Sequence, residues 1–173
     1  MKMALVVAAA VATAAMAQQE FSGPPQAKKG YDLFFGGTSK GAACGTCHAI
    51  KGKGTAVGPN LVNIARVPAR AMVMAINSTR TQYVQTVKTK TETFPGMKTA
   101  DTAEGYDLYD LSQNPPVLKK VAKADVTNMS DNASWKHPVE AMKLSAQELA
   151  DIIAYVKFAA YGDKAGVKAE DIE

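Results

Sequence analysis

The sequence predicts a mainly α-helical domain carrying a small antiparallel β insertion, arranged as a meander or a barrel. Two helical patterns and one β-rich stretch lead to this class. Residues 26–35 place Gly30 and Phe34 on one helical face, among Ala27, Tyr31 and Phe35. Near the other end, Ser145-Ala146-Gln147-Glu148 has the form of a capping box. Leu149, Ile152, Ile153, Val156 and Ala160 extend it as an apolar stripe that stops near Gly162. Between them, Thr81 to Met129 is rich in Thr, Val and Tyr, with turn signals at Pro95-Gly96, Glu104-Gly105 and Asn114-Pro115-Pro116.

Taken in order, residues 1–17 read as a secretory signal. Lys2 precedes an apolar run from Ala4 to Ala15, and Ala15-Met16-Ala17 supplies a small-residue cleavage site before Gln18. The run is short for a membrane span, with an uncleaved anchor as the alternative. The mature chain, 18–173, is expected to form one domain in the periplasm, with 81–129 as the β-rich insertion and 163–173 as a polar, frayed tail. The first helix covers Gln26–Phe35, and a second is expected over Ala69–Asn77, where Met72, Val73 and Ile76 share a face as core residues. Strands are expected near Tyr83–Lys90, Phe94–Lys98, Tyr106–Asp110 and Val117–Val121, half-exposed as in Val87-Lys88-Thr89-Lys90. The last helix runs from Ser145, and Gly30 lets it approach the first closely, so that Gly30 and Phe34 meet Tyr155.

Loss of the signal removes one base and no acid, leaving 19 basic against 16 acidic residues. So even a balance argues against a nucleic-acid binder, which would concentrate a basic stripe.

The chemistry is concentrated in Cys44-Gly45-Thr46-Cys47-His48. Two thiols two residues apart, followed at once by an imidazole, have the spacing of a covalent haem c attachment. One turn sets both sulfurs where they can add to the porphyrin vinyl groups, and His48 falls beneath the iron as proximal ligand. A zinc site would need two further ligands, and one other His and no other Cys exist. A redox dithiol would want a strand-to-helix context that the Gly-rich flanks do not provide.

Gly30-x-x-x-Phe34, the Cys-x-x-Cys-His motif, Gly58-Pro59-Asn60-Leu61 and Leu144-Ser145-x-x-Glu148-Leu149 through Tyr155 occur in the order found in class I cytochromes c, which the chain resembles over Gln26–Phe158 apart from the insertion. The resemblance implies that the Pro59 carbonyl holds the other nitrogen of His48. It also implies a second axial ligand, usually a Met followed by Pro, six to eight residues before the last helix. Here His137-Pro138 stands at that distance. His137 is the preferred ligand on position, with Met129 and Met142 as alternatives and an open or water-bound site also possible. Trp135 is expected near the haem edge, against a propionate or as plain core packing. A β-rich insertion ahead of the distal ligand is also similar, on pattern alone, to some bacterial cytochromes associated with periplasmic dehydrogenases.

The function implied is single-electron transfer by one covalent haem c, without enzymatic activity. The donor would be a periplasmic dehydrogenase or quinol-linked complex, and the acceptor an oxidase or another cytochrome. Alternatives are a haem peroxidase or reductase with an open sixth position, a sensor with an exchangeable ligand, or a subunit of a larger complex. Lys88, Lys90, Lys98, Lys119, Lys120 and Lys123 could steer an acidic partner or simply keep exposed strands soluble.

Overall fold

The computed structural model describes residues 21–37, 43–77, 83–138 and 144–172. The expected signal segment and Met142 lie outside them. Among the described residues there are four α-helices: α1 (Pro25–Gly36), α2 (Leu61–Ile64), α3 (Ala69–Ile76) and α4 (Ala146–Tyr161). There are also five strands: β1 (Val84–Thr89), β2 (Thr93–Asp101), β3 (Gly105–Asp110), β4 (Val117–Ala122) and β5 (Val126–Asp131). This corrects the expected mainly helical class, because the protein is a mixed α and β structure. The insertion is no appendage: it folds into one antiparallel sheet with its own apolar interior, whereas α2 and α3 are short. No described helix is long and apolar enough to cross a membrane.

The helical half is organised where α1 crosses α4. A Cβ on Gly30 would sit 1.9 Å from the Asp151 carbonyl oxygen, so only glycine permits this separation of the two backbones. Phe34 then meets Tyr155 at 5.3 Å between ring centroids, and Phe21, Tyr31 and Phe35 complete an aromatic cluster around the crossing. The α4 N-terminus is closed by the capping box: Glu148 N–H donates to Ser145 Oγ while Ser145 N–H donates to Glu148 Oε2. Gly162 ends the helix in the left-handed region at φ 74°.

The tail is not frayed over 163–172. Val167 and Ile172 are buried, and Gln26 pins the segment by donating to the Val167 carbonyl and accepting from its N–H. Two well-spaced apolar side chains in a polar stretch suffice to dock it.

The sheet has the order β4-β3-β2-β1-β5. Its outer strands, β4 and β5, are joined by only three residues, Lys123–Asp125. The edges of a flat five-stranded sheet would lie about 19 Å apart, at about 4.8 Å per strand. Four Cα steps reach about 14 Å at most, so the sheet must curl into a barrel-like form. Two hydrogen bonds hold the connector against the turns it crosses, from Lys123 N–H to the Glu104 carbonyl and from Lys90 N–H to the Asp125 carbonyl. Inside the curl are Val87, Phe94 and Leu108, with Tyr106, Val121 and Met129 packed around them. The opposite, outer face carries Pro95, Met97, Tyr109 and Leu111.

Candidate haem-binding cleft

Between the two halves lies a cavity of about 610 Å³, within the range that encloses a cofactor-sized ligand. The helical half supplies an apolar wall that includes Phe34, Ile64, Met72, Ile153 and Val156. The sheet supplies Met97 and Leu111 from its outer face, and Tyr83, Gln113, Asn114 and Pro116 from its ends.

Cys44, Cys47 and His48 line the helical side. Cys44–Thr46 form a 3-10 turn in which Cys47 and His48 N–H both donate to the Cys44 carbonyl, at 3.1 and 2.9 Å. That turn carries both thiols and the imidazole to the same cavity. The chain then loops back, and Val57 and Gly58 N–H both donate to the Cys47 carbonyl, at 3.1 and 2.7 Å.

Each residue of the following Gly58-Pro59-Asn60-Leu61 has a separate task. A Cβ on Gly58 would stand 2.6 Å from His48 Cε1, so the missing side chain is the space the imidazole occupies. The Pro59 carbonyl accepts from His48 Nδ1–H at 3.0 Å. A carbonyl can only accept, so this bond fixes the tautomer and leaves Nε2 as the ring's lone-pair nitrogen. Asn60 caps α2 by accepting from Val62 N–H at 2.9 Å, and Leu61 joins the cavity wall.

His137 comes from the other direction, on the segment leaving β5. Its ring centroid lies 5.9 Å from that of His48, with the planes 42° apart. Burial holds the His48 imidazole below its ordinary pKa, against the opposing effect of the Pro59 bond. Burial, then repulsion from His48, lowers His137 to about 4. Both rings are therefore neutral at pH 7, the form in which imidazole binds a metal. Burial pushes the Cys44 thiol up to about 11 and raises Cys47 as well. Reactive dithiols and thiolate metal sites need the opposite shift.

The residues present fit a haem. An imidazole nitrogen binds a metal at about 2 Å and the ring centre lies roughly 1 Å behind it, so two rings sharing one ion stand about 6 Å apart. The observed separation matches this. Among the described residues no group of three or more His, Cys, Asp or Glu could hold a metal ion. Iron in a porphyrin, which brings four ligands of its own, needs only two axial side chains from the protein, and two neutral thiols lie on the same wall.

Of the other residues singled out from the sequence, Trp135 lines the cavity. Met129 does not: it lies opposite Val87 on β5 and packs inside the curled sheet, because its position in the strand alternation faces the interior. Met97 was not anticipated. It lines the cavity from β2 and belongs to neither apolar cluster. Five of the six insertion lysines are paired within the sheet: Lys90 with Asp125, Lys98 and Lys123 with Asp101, Lys119 with Glu92 and Asp110, and Lys120 with Asp107. Their charge is locally offset, which weakens them as a steering patch.

No family model matches the chain, and no curated protein matches it.

Proposed function

We propose that this chain is an exported c-type cytochrome that carries single electrons, with haem c attached through Cys44 and Cys47 and held axially by His48 and His137. The observation that carries this is the facing pair of neutral imidazoles across an apolar cavity, one of them fixed in tautomer by Pro59, beside the two thiols of the Cys-x-x-Cys-His motif. When bound, the haem would supply one-electron chemistry, its iron alternating between ferric and ferrous states. The protein's part is to orient two ligands, exclude water with the apolar wall and leave a rim through which electrons pass to a partner. A second imidazole favours a lower potential than a thioether does. The donor would be a periplasmic dehydrogenase or quinol-linked complex, the acceptor an oxidase or another cytochrome, with residues 1–17 directing export. With His137 bound opposite His48, no sixth position would stay open for a peroxidase or reductase, and a sensor would have to exchange His137 for another ligand.

The test is the absorption and near-infrared magnetic circular dichroism of the oxidised holoprotein and its His137→Ala variant. Low-spin bis-histidine spectra, turning high-spin in the variant, are expected. One specific observation favours a second reading, because Met97 faces the same cavity. A sulfur-to-iron charge-transfer band that disappears in Met97→Ala would replace His137 with Met97, and failure to attach haem at all would overturn the proposal.

A further inference from the structure

We infer that Asn132 is the positioning residue that holds His137 at its place across the cavity. The inference rests on the His48/His137 reading above. His137 has no secondary structure of its own, and the last sheet residue before it is Asp131. What joins the two is a turn built on Asn132. Its N–H donates to the Val84 carbonyl at 3.0 Å, fastening the exit of β5 to the buried start of β1. Its side-chain oxygen Oδ1 then accepts from Ser134 N–H at 3.2 Å, from Ser134 Oγ at 2.8 Å and from Trp135 N–H at 3.0 Å.

Three donors thus converge on one oxygen. The result is a closed Asx turn whose own base is held by the sheet. Trp135 is the last residue fixed by it, and both Trp135 and His137 line the cavity. The direction in which the chain leaves this turn sets where the imidazole stands, and Pro138 restricts the backbone of His137 to extended conformations. Without the oxygen the two Ser134 donors lose their acceptor in the turn and Trp135 N–H keeps only the Asn132 carbonyl, at 3.4 Å, so the segment carrying His137 gains freedom to leave the cavity.

The experiment compares holoprotein variants by the ferric spin state and by the rate at which the ferrous form binds carbon monoxide, which must wait for the distal ligand to leave. Asn132→Ala is expected to speed carbon monoxide binding about tenfold, equivalent to one or two hydrogen bonds, and to add a high-spin ferric component. Asn132→Asp keeps an acceptor oxygen in place and should stay within about twofold of wild type. Ser134→Ala, at an exposed position, removes one donor of the three and should give a smaller increase in the same direction, so that the idea stays testable if Asn132→Ala does not fold. A merely structural Asn132 would lower Tm and leave both readouts at wild-type values, which overturns the inference provided His137→Ala itself turns high-spin. If His137→Ala stays low-spin, it is the underlying axial assignment that falls.

Discussion

The two walls of the cleft are built on opposite plans. On the helical side the same residues serve core and site: Phe34, Met72, Ile153 and Val156 are buried in the main apolar cluster and also line the cavity. On the sheet side the duties are split by strand alternation. Val87, Phe94 and Leu108 fill the inside of the curl, while Met97 and Leu111 stand on the outside, towards the cavity. Damage to the helical core should therefore reach His48 directly. Damage to the sheet core should reach the cavity through one strand's thickness, and His137 through the turn at Asn132.

The largest expected effect tests the first half of that contrast. Gly30→Ala places a Cβ against the Asp151 carbonyl, which cannot move without displacing α4. We expect a loss of about 3 kcal/mol or more in urea denaturation, from overpacking at a backbone contact. Because Ile153 and Val156 ride on α4 and line the cavity, the spectrum of the proposed haem should change in the same variant. A stable Gly30→Ala protein with an unaltered spectrum would show that the crossing does not support the helical wall of the cavity.

Leu108→Ala tests the other half. Leu108 is 0 % exposed at the centre of the small sheet core, and truncation should cost about 2–3 kcal/mol. In native-state hydrogen exchange the amides of β2 and β3 should lose protection while those of α1 and α4 keep theirs. Equal loss in both halves would show one cooperative unit, and the division drawn between the walls would then have no energetic meaning.

What the sequence revealed divides along the same line. The helical signals were local and legible. The capping box at Ser145 and Glu148 and the last helix's end at Gly162 lie within a few residues of what they control, and the glycine at the crossing stands out in its own helix although its partner, the Asp151 carbonyl, is far along the chain. Pro59 was reached through family resemblance, and its bond to His48 supplies the physical reason. The sheet was legible only in part. Alternation and turns located β1, β3 and β4 within a residue or two, yet Pro95-Gly96, read as a turn, lies inside β2. There Gly96 is required because a Cβ would meet Val87 Cγ2 at 2.6 Å, on a neighbouring strand.

β5 escaped notice for a related reason. Val-Thr-Asn-Met-Ser-Asp has little apolar alternation, and it is a strand because it pairs with β1 some forty residues earlier. Strand parity fixes the inward Met129 through that distant pairing, and the cavity-facing Met97 through the pairing of β2 with β1 and β3. The lysines were visible as a count, but partners such as Asp110 for Lys119 and Asp107 for Lys120 sit on the neighbouring strand, and Asp125 for Lys90 on the connector between β4 and β5.

The smallest predicted effect sharpens the account of the sheet by charge. Asp110 is 2 % exposed. Burial pushes its carboxyl pKa up, but the Ser112 hydroxyl at 2.6 Å, Lys119 Nζ at 2.9 Å and Ser112 N–H at 2.9 Å together hold it below the ordinary value. Lys119 is itself fixed, bonded to Glu92 and lying 4.5 Å from the centre of the Phe94 ring, so the pair sits on the sheet core. A folded-state pKa below the unfolded value of about 3.9 contributes stability that is present above that pH and is lost as pH falls through the folded value. Asp110→Asn should therefore be less stable than wild type by about 1–2 kcal/mol at pH 7, from one charge-assisted bond weakened and no volume changed. In urea denaturation repeated at pH 3 and below, the two curves should converge. A constant gap across that range would mean that Asp110 acts through its shape and hydrogen bonds alone, and that the sheet owes nothing to the charge buried at its edge.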